Sequence, residues 1–291
     1  MDIKAILMGL AFAAMWSSAF TSARIIVEFA PPLTALACRF LVSGLIGIAI
    51  AKALGQNMNL TRRQWRGVLI FGLCQNALYL GMNFVAMQTI QASLAAIIAS
   101  TMPLLVGLAG WLFMGQKLRP LGVAGLTAGF IGVTIIMWGR LMGGVDVFGL
   151  ALLILGVISL TIATLAVMGA SSGGNVLMIV GLQMLVGSAI LWGPALAFES
   201  FDIAWNWQLI VAFIYTTLVP GLLATWVWFM LVGRIGAVKA STFHFLNPFL
   251  GVAIAAVLLG EKLGADDVLG VIIIAGGILA VQMSKQPVTN R

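Results

Sequence analysis

The sequence predicts an all-α, polytopic membrane protein: ten transmembrane helices arranged as two inverted five-helix repeats, with both termini cytoplasmic. Three observations predict it. First, the 291 residues are 62% hydrophobic and only 8% charged, whereas a soluble domain carries about 25% charged residues. Too few polar side chains are present to coat a soluble surface. Second, apolar segments close to the roughly 20 residues that cross a bilayer follow one another through short connections. Third, one pattern is written twice, without a gap, 145 residues apart (248 − 103). Ser100-Thr101-Met102-Pro103 runs on to Gly115-Gln116-Lys117-Leu118, and Phe245-Leu246-Asn247-Pro248 runs on to Gly260-Glu261-Lys262-Leu263. Around these, Ala92 and Ala95 match Ala237 and Ala240, Gly125 matches Gly270, and Gly132 matches Gly277.

The expected spans are 4–27, 33–54, 66–87, 92–114, 120–139, 147–169, 175–197, 207–232, 238–259 and 266–284. The first, with Lys4 ahead of an apolar run that ends in small residues, has the outline of a signal peptide. It is counted as a span because the ten segments divide into five and five only if it is kept. The second opens after Pro31-Pro32 and closes at Gly55-Gln56-Asn57; the fifth opens after Arg119-Pro120; the seventh follows Ser171-Ser172-Gly173-Gly174-Asn175. Trp65, Trp205 and Trp207 suit the membrane interface at the starts of the third and eighth. The fourth and ninth each carry a proline inside the apolar run. An interior proline usually ends a helix in water, but a bilayer helix tolerates it where neighbours satisfy the freed carbonyl. The 34 glycines suit close helix packing in lipid. The only two cysteines, Cys38 and Cys74, sit inside apolar segments and read as buried thiols, not as a disulfide or metal pair.

Charge gives the orientation. With a cytoplasmic N-terminus, the inside receives Lys4, Lys52, Arg62, Arg63, Arg66, Lys117, Arg119, Arg234, Lys239, Lys285 and Arg291, and the outside only Arg24, Arg140 and Lys262. Basic residues choose the cytoplasmic side. Among the acids only Asp2 falls inside; Glu28, Asp146, Glu199, Asp202, Glu261, Asp266 and Asp267 fall outside. The net charge of +7 is thus spread through loops, with no basic stripe for nucleic acid. Five spans is an odd number, so the second copy enters the membrane the other way up. The repeats are expected at 1–141 and 142–291. Inverted repeats are a signature of secondary transporters, with Pro103 and Pro248 as the expected hinges.

The residues Trp16-Ser17, Arg39-Phe40, the Pro103 helix with Gly115-Gln116-Lys117, and the Pro248 helix with Gly260-Glu261-Lys262 carry a resemblance. Over essentially its whole length the chain resembles the EamA family of the drug/metabolite transporter superfamily. The resemblance implies ten spans and secondary transport in the bacterial inner (plasma) membrane. Within the family the chain looks closest to bacterial exporters of aromatic amino acids. Two positions depart from the family: Gln116 stands where Glu is common, and Ser17 where Gly is common after Trp.

Within the spans, Arg39 and His244 are the ionisable residues that could line a pathway. Arg39 reads equally as a helix-bridging residue and as a substrate contact. Helical spacing groups the others: Ser241, His244, Phe245 and Pro248; Gln75, Tyr79 and Asn83; Ser100 and Pro103; Trp16 and Phe20 with Ser17 beside them. Tyr215, Trp226 and Trp228 lie in the eighth span. The expected substrate-binding set is Trp16, Ser17, Tyr79, Asn83, Ser100, His244 and Phe245, a lining of aromatic rings, apolar surface and neutral donors. No carboxylate is expected inside a span, which disfavours lipophilic cations and favours neutral, zwitterionic or weakly acidic metabolites. Aromatic and other neutral amino acids fit; other metabolites or drugs remain the alternative. One His, two isolated Cys and no intramembrane acid supply no nucleophile–base or metal set, so an integral membrane enzyme is the weaker reading. No cofactor and no metal are expected. The expected partners are a small-molecule substrate and the lipid bilayer, not nucleic acid, with a monomer as the simplest assembly. Without a membrane-embedded Asp or Glu to carry protons, the simplest driving force is the substrate's own gradient.

Overall fold

The computed structural model of the chain describes residues 3–113, 115, 119–167, 173–235, 240 and 242–284. Of the residues singled out above, Asp2, Gln116, Lys117, Leu118, Ser171, Ser172, Ala237, Lys239, Ser241, Lys285 and Arg291 lie outside the described residues. Among those described, nine helices are long and apolar enough to cross a membrane, and a tenth is shorter. They are α1 (Ile3–Phe29), α2 (Pro32–Ala53), α3 (Arg62–Ala86), α4 (Ala92–Phe113), α5 (Pro120–Met142), α6 (Val147–Val167), α7 (Val176–Phe198), α8 (Trp207–Ile235), the shorter α9 (Phe243–Leu259) and α10 (Ala265–Ser284). Helices of this kind suit a bilayer, because each backbone N–H and C=O finds its partner within the segment.

Local chemistry sets the helix ends. α3 starts at Arg62, one turn before the expected 66, because Thr61 and Gln64 form a capping box: Gln64 N donates to Thr61 Oγ1 (3.3 Å) and Thr61 N donates to Gln64 Oε1 (2.8 Å). Asn206 Oδ1 accepts from Leu209 N (2.7 Å) to open α8. The two glycines of the repeated motif share one conformation. Gly115 and Gly260 have φ of +65° and +66°, and Gly260 is the left-handed cap of α9. A residue without Cβ adopts that conformation at no steric cost, which ends the helix. α10 takes in two acids at its start. Asp267 is buried in its first turn, where Oδ2 accepts from Gly264 N (2.9 Å); the expectation of no carboxylate inside a span therefore fails at this edge.

Four helices are irregular, in matched pairs. α3 contains a π-helical stretch, Gly72–Tyr79, and α8 another, Thr217–Leu223; their first residues are offset as Pro103 and Pro248 are. In α8, Pro220 lacks the N–H that would reach the Thr216 carbonyl four residues back. Arg39 Nε from α2 donates to that carbonyl (3.3 Å), and Ser43 Oγ donates to the Thr217 carbonyl (3.4 Å). The structure therefore gives Arg39, which is 6% exposed, the helix-bridging role. α4 is interrupted at Thr101 between Ala92–Ser100 and Met102–Phe113, where Thr101 N bonds Ile98 O (3.1 Å) and Leu104 N bonds Thr101 O (2.9 Å). α9 opens with a tight 3₁₀ turn, Thr242–Leu246, and becomes α-helical at Asn247. In both helices the new segment begins one residue before the proline. That places the proline in a first turn, where its missing N–H loses nothing.

The chain divides into two compact units, each drawing on both halves of the sequence. One comprises Met1–Thr21, Gln91–Val147 and Val227–Arg291, hence most of α1, all of α4, α5, α9 and α10, and the end of α8. Within it α10 lies antiparallel on α5, Gly277 facing Gly125 and Gly270 facing Gly132. A Cβ on Gly277 would come 2.6 Å from the Gly125 carbonyl oxygen, and one on Gly270 2.9 Å from that of Gly132, so only glycine permits this approach. α9 runs antiparallel to α4, with Gly251 against Ala96. Glu261, just beyond α9, accepts from Ala92 N (2.7 Å) and Ser93 N (3.0 Å) at the start of α4.

The other unit comprises Ser22–Ile90 and Phe148–Trp226. Here α7 lies antiparallel on α2, with Gly181 and Gly44 backbone to backbone and Ser188 Oγ donating to Ala37 O (2.8 Å). Glu199, just beyond α7, accepts from Leu33 N, Thr34 N and Thr34 Oγ1 at the start of α2, each at 2.7 Å. Gln56, just beyond α2, accepts from Met178 N at the start of α7 (3.1 Å). Arg24 ties α1 to the end of α3 through the Met87 and Gln88 carbonyls and pairs with Glu28 at 3.6 Å. Cys38 and Cys74 are free, half-buried thiols. In α2/α7, α4/α9 and α5/α10 alike, the partners are five spans apart in the chain and antiparallel.

Candidate functional site

His244 lies in the 3₁₀ turn that opens α9, inside a cluster of aromatic rings belonging to one unit. Phe12 and Trp16, one turn apart on α1, meet it edge-on at centroid distances of 5.3 and 6.5 Å, and Trp228 of α8 at 5.2 Å. Phe12 also packs on Trp228 (4.7 Å) and Trp16 (5.8 Å). Edge-to-face packing of this kind satisfies the ring quadrupoles. The turn then brings Asn247 back under His244, with Asn247 Nδ2 2.9 Å from His244 Nδ1. With the amide nitrogen donating, Nδ1 accepts and the ring proton sits on Nε2. Ser17, fully buried, donates its hydroxyl to the Asn247 carbonyl at 3.3 Å. Asn247 is 6% exposed, and its Oδ1 is buried with no hydrogen-bond partner.

Of the expected site residues, the structure thus brings Trp16, Ser17 and His244 together. Phe245, Ser100, Pro103 and Pro248 lie in the same unit. Phe245 is half-buried in the turn, and both prolines are buried at the helix breaks. Ser100 spends its hydroxyl on its own helix, donating to the Ala96 carbonyl (2.6 Å). Tyr79 and Asn83 belong to the other unit. Both are fully buried; Asn83 Nδ2 donates to the Tyr79 carbonyl (2.9 Å), and its Oδ1 has no partner. They lie over Gly156 of α6, where a Cβ would come 3.0 Å from Asn83 Nδ2.

Three buried amides, Asn76, Asn247 and Gln282, lie outside the expected site. In α3 the π-turn shifts the helical phase. Gln75 is only half-buried, and Asn76 is the amide that turns inward, donating to Gln183 O at 2.9 Å. Asn247 was part of the motif but not of the expected site. The available signal was a polar residue directly before Pro248 where the first copy has Met102. An open apolar groove along α5, past Phe130, Ile131 and Trp138, is lined by exposed side chains, as a lipid-facing surface would be. Among the described residues no three His, Cys, Asp or Glu side chains assemble as a metal site requires. The groups assembled at His244 are aromatic rings, an imidazole and one amide oxygen without a hydrogen-bond partner.

Comparison with known proteins bears on the helices and the family. The sequence profile of the EamA-like transporter family matches residues 3–138 and 147–283. The chain belongs to the EamA-like transporter family. It is 27% identical over 273 residues to the uncharacterized transporter YvbV of Bacillus subtilis (strain 168), covering 94% of this chain and 89% of that protein. It is 26% identical over 278 residues to the uncharacterized inner membrane transporter YedA of Escherichia coli (strain K12), covering 93% and 88%. Protein PecM of Dickeya dadantii (strain 3937) is 23% identical over 253 residues, covering 86% and 83%. A solved crystal structure shares the fold at a TM-score of 0.70 and 20% identity, over 97% of this chain and 99% of that one. This EamA-like protein is accordingly a multi-pass membrane transporter, as the names of YvbV and YedA also have it for those relatives.

Proposed function

We propose that this EamA-like transporter is a secondary carrier of the bacterial inner membrane that exports small amphipathic metabolites, foremost aromatic and other neutral amino acids. It works by alternating access between two inverted five-helix repeats, 1–141 and 142–291, with both termini cytoplasmic and the substrate's own gradient as driving force. The observation that carries the reading is the cluster of Phe12, Trp16, Trp228, His244 and Asn247 beside the break at Pro248. It offers ring faces to an aromatic side chain and neutral polar groups to a zwitterion, with no acid that would select a cation. Irregular backbone deep in a membrane protein is tolerated where it lines a binding region, and the breaks at Thr101 and before Asn247 have that character.

The inverted relation is supported by the antiparallel pairing of helices five spans apart. The contact of Gly125 with Gly277 becomes that of Gly270 with Gly132 when the matched halves are exchanged, as a two-fold axis between the helices would require. The bacterial inner membrane is supported by the likeness to YedA. Saturable uptake by the purified protein in liposomes, run over a panel of amino acids, other metabolites and drugs, tests the reading. Saturable uptake of phenylalanine and tryptophan is expected. Transport of other solutes only, or product formation without transport, would overturn it.

A further inference from the structure

We infer that Asn247 is a specificity-determining substrate contact: its side-chain oxygen receives the ammonium group of the substrate while its amide nitrogen holds His244 in place. The inference deepens the carrier reading above and rests on its substrate class. Buried polar atoms are almost always hydrogen-bonded, so an orphan calls for an explanation, and a ligand that comes and goes supplies one. Asn247 Oδ1 is such an orphan. Of its other groups, Nδ2 lies 2.9 Å from His244 Nδ1, and the backbone carbonyl accepts from the Ser17 hydroxyl at 3.3 Å. With Nδ2 donating to the imidazole, the side-chain oxygen points away from His244 and stays unpaired.

A carbonyl oxygen can only accept, so the missing partner is a donor. Among the groups of a neutral amino acid at neutral pH, the ammonium is the donor and the carboxylate is not. The aromatic rings of Phe12, Trp16 and Trp228 grouped around His244 supply a complementary surface for a cation, their negative faces favouring positive charge. A polar oxygen held rigidly among apolar rings discriminates strongly. An analogue lacking the donor leaves the oxygen unpaired, the arrangement by which sites reject substrates that lack one polar group.

The test measures equilibrium binding to the full-length protein in detergent, with three probes that share a phenyl ring: L-phenylalanine, 3-phenylpropanoate without the amino group, and 2-phenylethylamine without the carboxylate. Wild type should prefer phenylalanine to 3-phenylpropanoate by about tenfold or more, the range of a hydrogen bond to a charged group. Asn247→Leu, which keeps the branching but removes both polar atoms, should bring that ratio close to one, with the thermal unfolding of the purified variant as its folding control. Asn247→Asp, which keeps the acceptor, should retain the preference for the amino-bearing probe. An unchanged ratio in Asn247→Leu overturns the inference alone. So does a loss of discrimination against 2-phenylethylamine instead, since the amide would then be turned to serve a carboxylate. Binding of none of the three probes by wild type overturns the substrate class and the inference that rests on it.

Discussion

Glu199 gives the sharpest test of how α2 and α7 are held together. Its carboxylate accepts three hydrogen bonds, each of 2.7 Å, two of them from the Leu33 and Thr34 backbone N–H groups in the first turn of α2. No local group can replace it, because the N-cap of α2 is Pro31, which has no side-chain acceptor. A lost cap costs about 1 kcal/mol, and removing a negative charge from a helix N-terminus costs up to about 1 more. Hydrogen bonds to a charged group are worth about 1.5–3 kcal/mol each, although these contributions overlap. Glu199 is half-buried, so water takes over part of the loss. Glu199→Ala should therefore lower the unfolding free energy by about 2–3 kcal/mol, and Glu199→Gln by about 1. At the other end of the pair, Gln56 is neutral and accepts one bond at 3.1 Å, so Gln56→Ala should cost about 0.5–1 kcal/mol. Denaturant titration in mixed micelles, followed by tryptophan fluorescence, reads all three. A Glu199→Ala protein as stable as wild type, or a Gln56→Ala protein less stable than it, would refute the carboxylate as the anchor.

Pro248→Ala restores a backbone donor one residue into the Asn247–Leu259 helix, and Pro103→Ala does the same in Met102–Phe113. Each should slow transport in liposomes severalfold with thermal stability retained, as a stiffened hinge would; unchanged turnover in both would leave the prolines as packing elements only. Single cysteines at Gln116 and Glu261, placed in a background without Cys38 and Cys74, should label with an impermeant thiol reagent from opposite sides of the membrane. Labelling from the same side would sink the inverted repeat.

Much of the scaffold was legible in the sequence. Length and apolarity located the helix ends to within about a turn, apart from the start of α9, which borders residues outside those described, since a bilayer leaves few alternatives. The doubled proline pattern pointed to the breaks in α4 and α9, whereas the left-handed conformation shared by Gly115 and Gly260 emerged only in the structure. What could not be read was whatever depends on partners far along the chain. Nothing local announces that Glu199 serves Thr34, that Glu261 serves Ala92, or that Arg39 serves the carbonyl released by Pro220. The π-stretch in α3 defeated the four-residue spacing that joined Gln75 to Tyr79, because one wider turn rotates each residue before it. Trp16, Ser17 and His244 were legible as a polar–aromatic set because lipid drives polar groups inward. Asn247 was hidden by its place next to Pro248, where it read as part of a structural motif.

The proposed carrier would move an aromatic amino acid without an imposed ion gradient. The direct measurement is uptake of labelled phenylalanine by liposomes containing the purified protein, with equal pH and equal sodium on both sides and only the substrate at unequal concentration. Saturable flux down the substrate gradient, unaltered when a pH or sodium gradient is added, is the expected result. Flux that appears only when a proton or sodium gradient is applied would contradict the account and make His244 the first residue to test on a proton path.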